Sequence, residues 1–207
     1  MKLVIGDKNL SSWSMRPWVL LRHFGLPFDE MLIRLDQPDT KARILDVTPS
    51  GKVPCLITDN GDAVWESLAI METIAENHPQ HAMWPRDAAA RALARSVSAE
   101  MHGGFADLRQ NMPMQIDMHA PGLGATPATL FDIARIDAMW NDCLARSGGP
   151  FLFGEFGIAD AMYAPVVMRF NSYEPALSEG SRAYARRVTA LPAVAAWIDD
   201  ARKEAAR

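Results

Sequence analysis

Three groups of residues in this chain have types and spacing suited to chemistry. The first is a serine-rich turn, Ser11, Ser12 and Ser14, lying between a short apolar run and the segment Trp18–Phe24. Hydroxyls at such a turn can cap a helix or donate a hydrogen bond to an anion. No His–Asp partner stands nearby in sequence, so a hydrolase triad finds no support. The second group is Gly51-Lys52-Val53-Pro54. Pro54 lacks a backbone donor, which marks an edge, a bulge or a loop entering a strand. The third is Glu66-Ser67, at the start of a helix-like segment. Serine is favoured as a cap there, and the free N–H groups of a helix start also form a ready site for an anion.

The two cysteines, Cys55 and Cys143, are far apart and belong to no CxxC or Cys/His cluster. Neither a zinc site nor a disulfide framework is expected, and a reducing, cytoplasmic setting is the natural reading. Thiol–disulfide chemistry of the glutaredoxin kind needs a cysteine at a helix start, where this chain has Ser11-x-x-Ser14. The 207 residues carry a formal net charge of -4, which offers no overall basic field for nucleic acid or an anionic membrane. The first residues turn polar too early for a signal peptide, and no run approaches the roughly 20 apolar residues that span a bilayer.

The elements that must hold these groups alternate in the first third of the chain. Lys2–Gly6 reads as a buried strand, and Trp18–Phe24 as part of a helix that stops at Gly25, with Ser14 its expected cap and Pro17 in its first turn. Asp29–Leu35 can form a second strand, Asp39–Asp46 a short helix, and Val53–Thr58 with Ala63–Trp65 a hairpin closed at Asn60-Gly61. Ser67 then caps a helix to about Asn77. This β-α-β-α-β-β-α order predicts a mixed sheet of thioredoxin-like type over residues 1–80. A linker, His78–Pro85, precedes an all-α region over residues 86–207. Its helices are expected in Arg86–Met118, Thr126–Ser147, Gly157–Phe170 and Glu179–Leu191, and after Pro192, with little strand signal outside Phe151–Phe153.

Taken together and in this order, the three groups resemble the glutathione transferase superfamily, and the resemblance covers nearly the whole chain. It implies an α/β thioredoxin-like domain followed by an all-α domain. It further implies a cis Val53–Pro54 bond, with the Val53 backbone pairing the cysteinyl part of glutathione. Glu66 and Ser67 would hold the γ-glutamyl end, and Lys52 would meet the glycyl carboxylate. The serine turn is similar to serine-type classes, above all zeta, whose motif begins Ser-Ser-Cys-Ser with an Arg five residues after the catalytic serine. Arg16 stands five after Ser11, which makes Ser11 the first choice as catalytic hydroxyl and Ser12 the second. Trp13 replaces the zeta cysteine and, with no compelling basic cluster in the sequence, counts against a zeta-type isomerase. The family's Ser/Thr-x-x-Asp capping box is matched by Gly157 and Asp160, the cap residue being changed.

The implied activity is that of a detoxifying transferase: the glutathione thiol, its cosubstrate, is held as a thiolate for attack on a small electrophile, without a metal. The electrophile would lie against Met101, His102, Phe105, Arg109 and Met112, which share helical spacing. The resemblance also implies a homodimer. A glutathione-dependent cis–trans isomerase, a peroxidase using the same thiolate and a non-catalytic binding protein remain as alternatives.

Overall fold

The computed structural model describes residues 1–206. Its sheet is built from β1 (Lys2–Ile5), β2 (Asp29–Leu32), β3 (Cys55–Ile57) and β4 (Ala63–Trp65), in the order β2-β1-β3-β4. β1 runs parallel to β2, with Lys2 opposite Asp29, and antiparallel to β3, with Val4 opposite Cys55; β3 and β4 form the hairpin. The crossover from β1 to β2 is α1 (Ser12–His23), α2 (Thr40–Leu45) follows β2, and α3 (Ser67–Asn77) follows β4.

β1 is apolar and central, and its alternation sorts two cores. Leu3 and Ile5 face the main core with Trp18, Leu20, Ile70 and Ile74 of α1 and α3. Val4 points to the other face, where it meets Ile33, Ile44 and Cys55 under α2. Cys55 is fully buried, and that burial pushes its thiol up, so neither its place nor its acidity suits a nucleophile. Cys143 is buried as well and is pushed up to about 11.

Six helices follow: α4 (Ala88–Gly103), α5 (Ala106–Asn111), α6 (Pro127–Ser147), α7 (Ile158–Tyr173), α8 (Glu179–Thr189) and α9 (Pro192–Ala205). Phe151 and Gly154 make only an isolated bridge, not a strand. α7 is buried nearly all round, as a helix apolar on every side must be. It packs against α4 and α8, and also against α1, so the helix carrying the serine turn is braced directly by the all-helical half. α9 returns to α1, where the buried Lys8 ammonium bridges Asp200 of α9 at 2.9 Å and Glu30 of β2 at 3.0 Å.

The start of α7 shows why the expected capping box is altered. Asp160 accepts from the N–H groups of Gly157 (3.0 Å) and Leu152 (3.1 Å), and from the Tyr184 hydroxyl (3.0 Å). A Cβ at residue 157 would come within 2.6 Å of the Met83 carbonyl oxygen, which already accepts the N–H of Ile158. Glycine is required by that close approach. Among the described residues no helix is long and apolar enough to cross a membrane.

Candidate functional site

The turn before α1 is tied down from several sides. The Asp7 carbonyl accepts the N–H groups of Leu10 and Ser11, while its carboxylate accepts from the Leu35 N–H and from Arg34. Asn9 pairs with Asp117 of the helical half through its side chain at 2.8 Å. α1 begins at Ser12, with Ser11 in the capping position, so the expected cap, Ser14, lies inside the helix. There it accepts the Gly6 N–H at 3.1 Å and the Ser11 hydroxyl at 2.7 Å. Pro17 consequently sits beyond the first turn and has no N–H for the Trp13 carbonyl.

A cavity of about 640 Å³ opens between this turn, the loop around Val53, the start of α3, and helices α4, α5 and α7. That size suits a small-molecule site. Ser12, Lys52, Val53, Pro54, Glu66 and Ser67 all line it. Ser11 does not; its hydroxyl is directed to Ser14. The Val53–Pro54 bond is cis. Lys52 is exposed at the cavity.

Glu66 and Ser67 divide their work differently from a plain cap. Glu66 has φ 68, a left-handed backbone uncommon for a side-chain-bearing residue, and such strain is concentrated at functional sites. It occupies the capping position of α3 but makes no side-chain cap bond. Ser67 is the first helical residue and is 1% exposed, and its hydroxyl has no hydrogen-bond partner among the described residues. A buried polar atom without a partner at a helix N-terminus, on the wall of a cavity, has the chemistry to accept an anion there.

Of the wall expected from helical spacing, His102 and Arg109 face the cavity, whereas Met101, Phe105 and Met112 are packed in the main core. α4 ends at Gly103, and Phe105 adopts a left-handed conformation before α5, so the stripe is split between two helices. α5 presents Ala106, Arg109 and Gln110 to the cavity. Trp13 also lines it, with the Arg16 guanidinium 3.9 Å and that of Arg109 5.3 Å from its ring centre, and His102 edge-on at 5.3 Å. His102 Nε2 lies 3.4 Å from Glu66.

Sequence reasoning missed Arg169. This α7 residue lines the cavity, is 4% exposed, and contacts Ser12 Oγ through Nη2 at 3.4 Å. Its available signal was that it and Asp160 alone carry charge in the run Ile158–Tyr173. Arg16 is fully buried, with both terminal nitrogens unpartnered. Burial, and then the charges of Arg169 and Arg109, hold its pKa well below the usual arginine range. Burial and then Arg109 bring Arg169 down to about 10. Arg109 and Arg169 thus stand on the cavity wall with Glu66, and among the described residues neither arginine forms an ion pair with a carboxylate. Among the described residues, no group of three or more His, Cys, Asp or Glu side chains could hold a metal ion.

The family model described as the glutathione S-transferase N-terminal domain matches residues 10–77, and that of the C-terminal domain matches residues 132–200. A probable maleylacetoacetate isomerase of Caenorhabditis elegans is 27% identical over 173 residues, 83% of this chain and 79% of its own length. The glutathione S-transferase GstB of Escherichia coli K12 is 27% identical over 208 residues, covering 93% of this chain and 95% of its own. Among solved structures, a sphingomonad glutathione S-transferase complexed with glutathione superposes with a TM-score of 0.72 at 26% identity, over 97% of this chain and 98% of that one. The sheet-bearing half and residues 132–200 of the helical half thus match their counterparts in order, and this chain belongs to the glutathione S-transferase superfamily of enzymes.

Proposed function

We propose that this protein holds the thiol of glutathione as a thiolate and directs it to a small electrophilic molecule, by substitution or addition. The observation that carries the reading is the shared cavity of Ser12 and the unpartnered, buried Ser67 hydroxyl. Ser67 and the α3 N-terminus receive the γ-glutamyl carboxylate, Glu66 faces the ammonium, the Val53 backbone aligns the cysteinyl unit, and Lys52 meets the glycyl carboxylate. Ser12, rather than Ser11, donates to the sulfur, because Ser11 is already bonded to Ser14.

A free thiol with pKa ~8.5 is only a few per cent thiolate at neutral pH. A hydroxyl donating to the anion is worth roughly 1.5–3 kcal/mol, or one to two pKa units. Ser12 takes no proton itself; the thiol proton passes to solvent. The sulfur then forms a bond to carbon, and the leaving group departs with its electron pair, or the adjacent carbon of an addition product takes a proton from water. His102 and Arg109 form the electrophile's wall.

A second reading is favoured by one feature, Arg109 and Arg169 at the cavity, neither of which forms an ion pair among the described residues. These suit an acidic substrate, and two named relatives are maleylacetoacetate isomerases. In that reaction the thiolate adds to a cis double bond, the adduct rotates, and the sulfur leaves again, so that no glutathione is consumed. Comparing turnover of a cis-enedione diacid with that of an aromatic halide distinguishes the two.

Calorimetric titration with glutathione and an S-alkyl glutathione tests the common basis of both. Binding of each is expected, and failure of both overturns the reading. A homodimer is part of the proposal, supported by family resemblance and by the exposed Trp65 of β4 and Phe131 of α6. Sedimentation equilibrium checks it.

A further inference from the structure

Ser12 stands on α1, yet its hydroxyl is contacted from the other half of the molecule. Arg169 of α7 reaches it with Nη2 at 3.4 Å. The rest of that guanidinium is fixed: Nε donates to the Met112 carbonyl at 2.9 Å, and Nη1 donates to the Pro165 carbonyl at 3.1 Å. A serine hydroxyl has one proton and two acceptor positions. A guanidinium is donor only, so Ser12 must accept from it and direct its own proton elsewhere. Ser12 lines the cavity, and that is the open direction.

The charge acts in the same sense. Around Arg169 stand Arg109 of α5, Arg16 of α1 and Tyr173 of α7. The first two are arginines and the third is a phenol whose pKa is pushed up by burial, and among the described residues Arg169 forms no ion pair with a carboxylate. Burial and Arg109 lower its pKa only to about 10, which leaves it charged at neutral pH.

We propose that Arg169 is a positioning residue for thiol activation: by donating to Ser12 Oγ it turns the serine proton toward the sulfur and strengthens that donor. This rests on the reading of Ser12 as the sulfur's hydrogen-bond partner. It makes thiolate formation depend on the seating of α7 against α1.

The experiment is an ultraviolet titration of the thiolate of enzyme-bound glutathione in the wild type, Ser12→Ala, Arg169→Gln and the double variant. Ser12→Ala is expected to raise the bound thiol's pKa. Arg169→Gln is expected to raise it by about one unit, a tenfold loss of thiolate at fixed pH below the pKa. The double variant should rise no further than Ser12→Ala alone. If Ser12→Ala raises the pKa and Arg169→Gln does not, the inference falls while the proposed function stands. Full additivity overturns it too, because Arg169 would then act on the sulfur without Ser12. If Ser12→Ala changes nothing, the role of Ser12 and the inference fall together. Arg169→Lys, which keeps the charge but loses the planar fork, provides the same comparison should the glutamine variant not fold. A partial rise in the wild-type background and none on Ser12→Ala is expected; no rise in either overturns the inference.

Discussion

The Ser11 hydroxyl donates to that of Ser14 at 2.7 Å, and Ser14 in turn accepts the N–H of Gly6 at the end of β1. This pair ties the start of α1 to the sheet and leaves the intervening Ser12 at the cavity. Two neighbouring serines are therefore expected to have separable roles. Ser12→Ala should raise the pKa of bound glutathione by about one to two units and lower turnover at neutral pH accordingly, with modest change in stability. Ser11→Ala should leave the thiol pKa in place and cost about 1 kcal/mol of folding stability, since a buried hydrogen bond is lost. Thiolate absorbance and urea denaturation read the two effects. The assignment is reversed if Ser11→Ala is the variant that shifts the thiol.

Ser67 gives a prediction in which binding and folding move in opposite directions. Its buried hydroxyl has no partner among the described residues and would gain one from a carboxylate. Ser67→Ala should raise KM for glutathione by about tenfold to a hundredfold, the worth of a hydrogen bond to a charged group, with kcat little changed. The unliganded variant should be as stable as the wild type or slightly more so, because an unsatisfied group has been removed. A clear loss of thermal stability in Ser67→Ala, with KM unaltered, would mark the serine as purely structural.

What sequence could supply depended on range. The hairpin at Asn60-Gly61 and the helix after Glu66 are each written within a few adjacent residues and are found where expected, although Glu66 rather than Ser67 takes the capping position; the cis Val53–Pro54 bond agrees with the family resemblance. The start of α1 was misplaced at Ser14 because Ser11, Ser12 and Ser14 all carry a capping hydroxyl. Only their bonds to Asp7, to each other and to Gly6 select the start. The wall failed for another reason. Spacing of three and four assumes one continuous helix, but α4 ends at Gly103, and a Cβ on Gly104 would meet the Glu100 carbonyl oxygen at 2.7 Å. Met101 and Phe105 go to the core while His102 and Arg109 turn outward to the cavity. Arg169 reaches Ser12 across 157 residues of chain, and no local pattern encodes such a contact.

Gly157 marks a position where restoring the family's hydroxyl cap should harm this protein. Serine would add a side-chain acceptor worth up to a few tenths of a kcal/mol over glycine. Its Cβ, however, would sit 2.6 Å from the backbone oxygen of Met83, which cannot swing away as a flexible side chain would. Gly157→Ser should therefore destabilise by about 1–3 kcal/mol, the usual range for overpacking. Urea unfolding measures it, and a neutral or stabilising result would show that the Met83 segment yields freely.

Asp160 supplies a pH signature of the same corner. Burial raises its carboxyl from the usual range to about 6, against three hydrogen bonds that favour the anion. The folded pKa lies above the unfolded one, so the folded state holds the proton more tightly. The stability from this group is complete below about pH 4, the unfolded value, and is lost as pH rises through about 6. A rise of about two units corresponds to ~3 kcal/mol across that window. Asp160→Asn cannot titrate and should lose this dependence. Subtracting its unfolding free energies from those of the wild type between pH 4 and 8 isolates Asp160 from the other carboxylates. The wild-type advantage should shrink by up to that amount between pH 4 and 6.5 and then level off. An advantage that instead grows with pH would mean that the three donors outweigh burial and that Asp160 is an anion throughout.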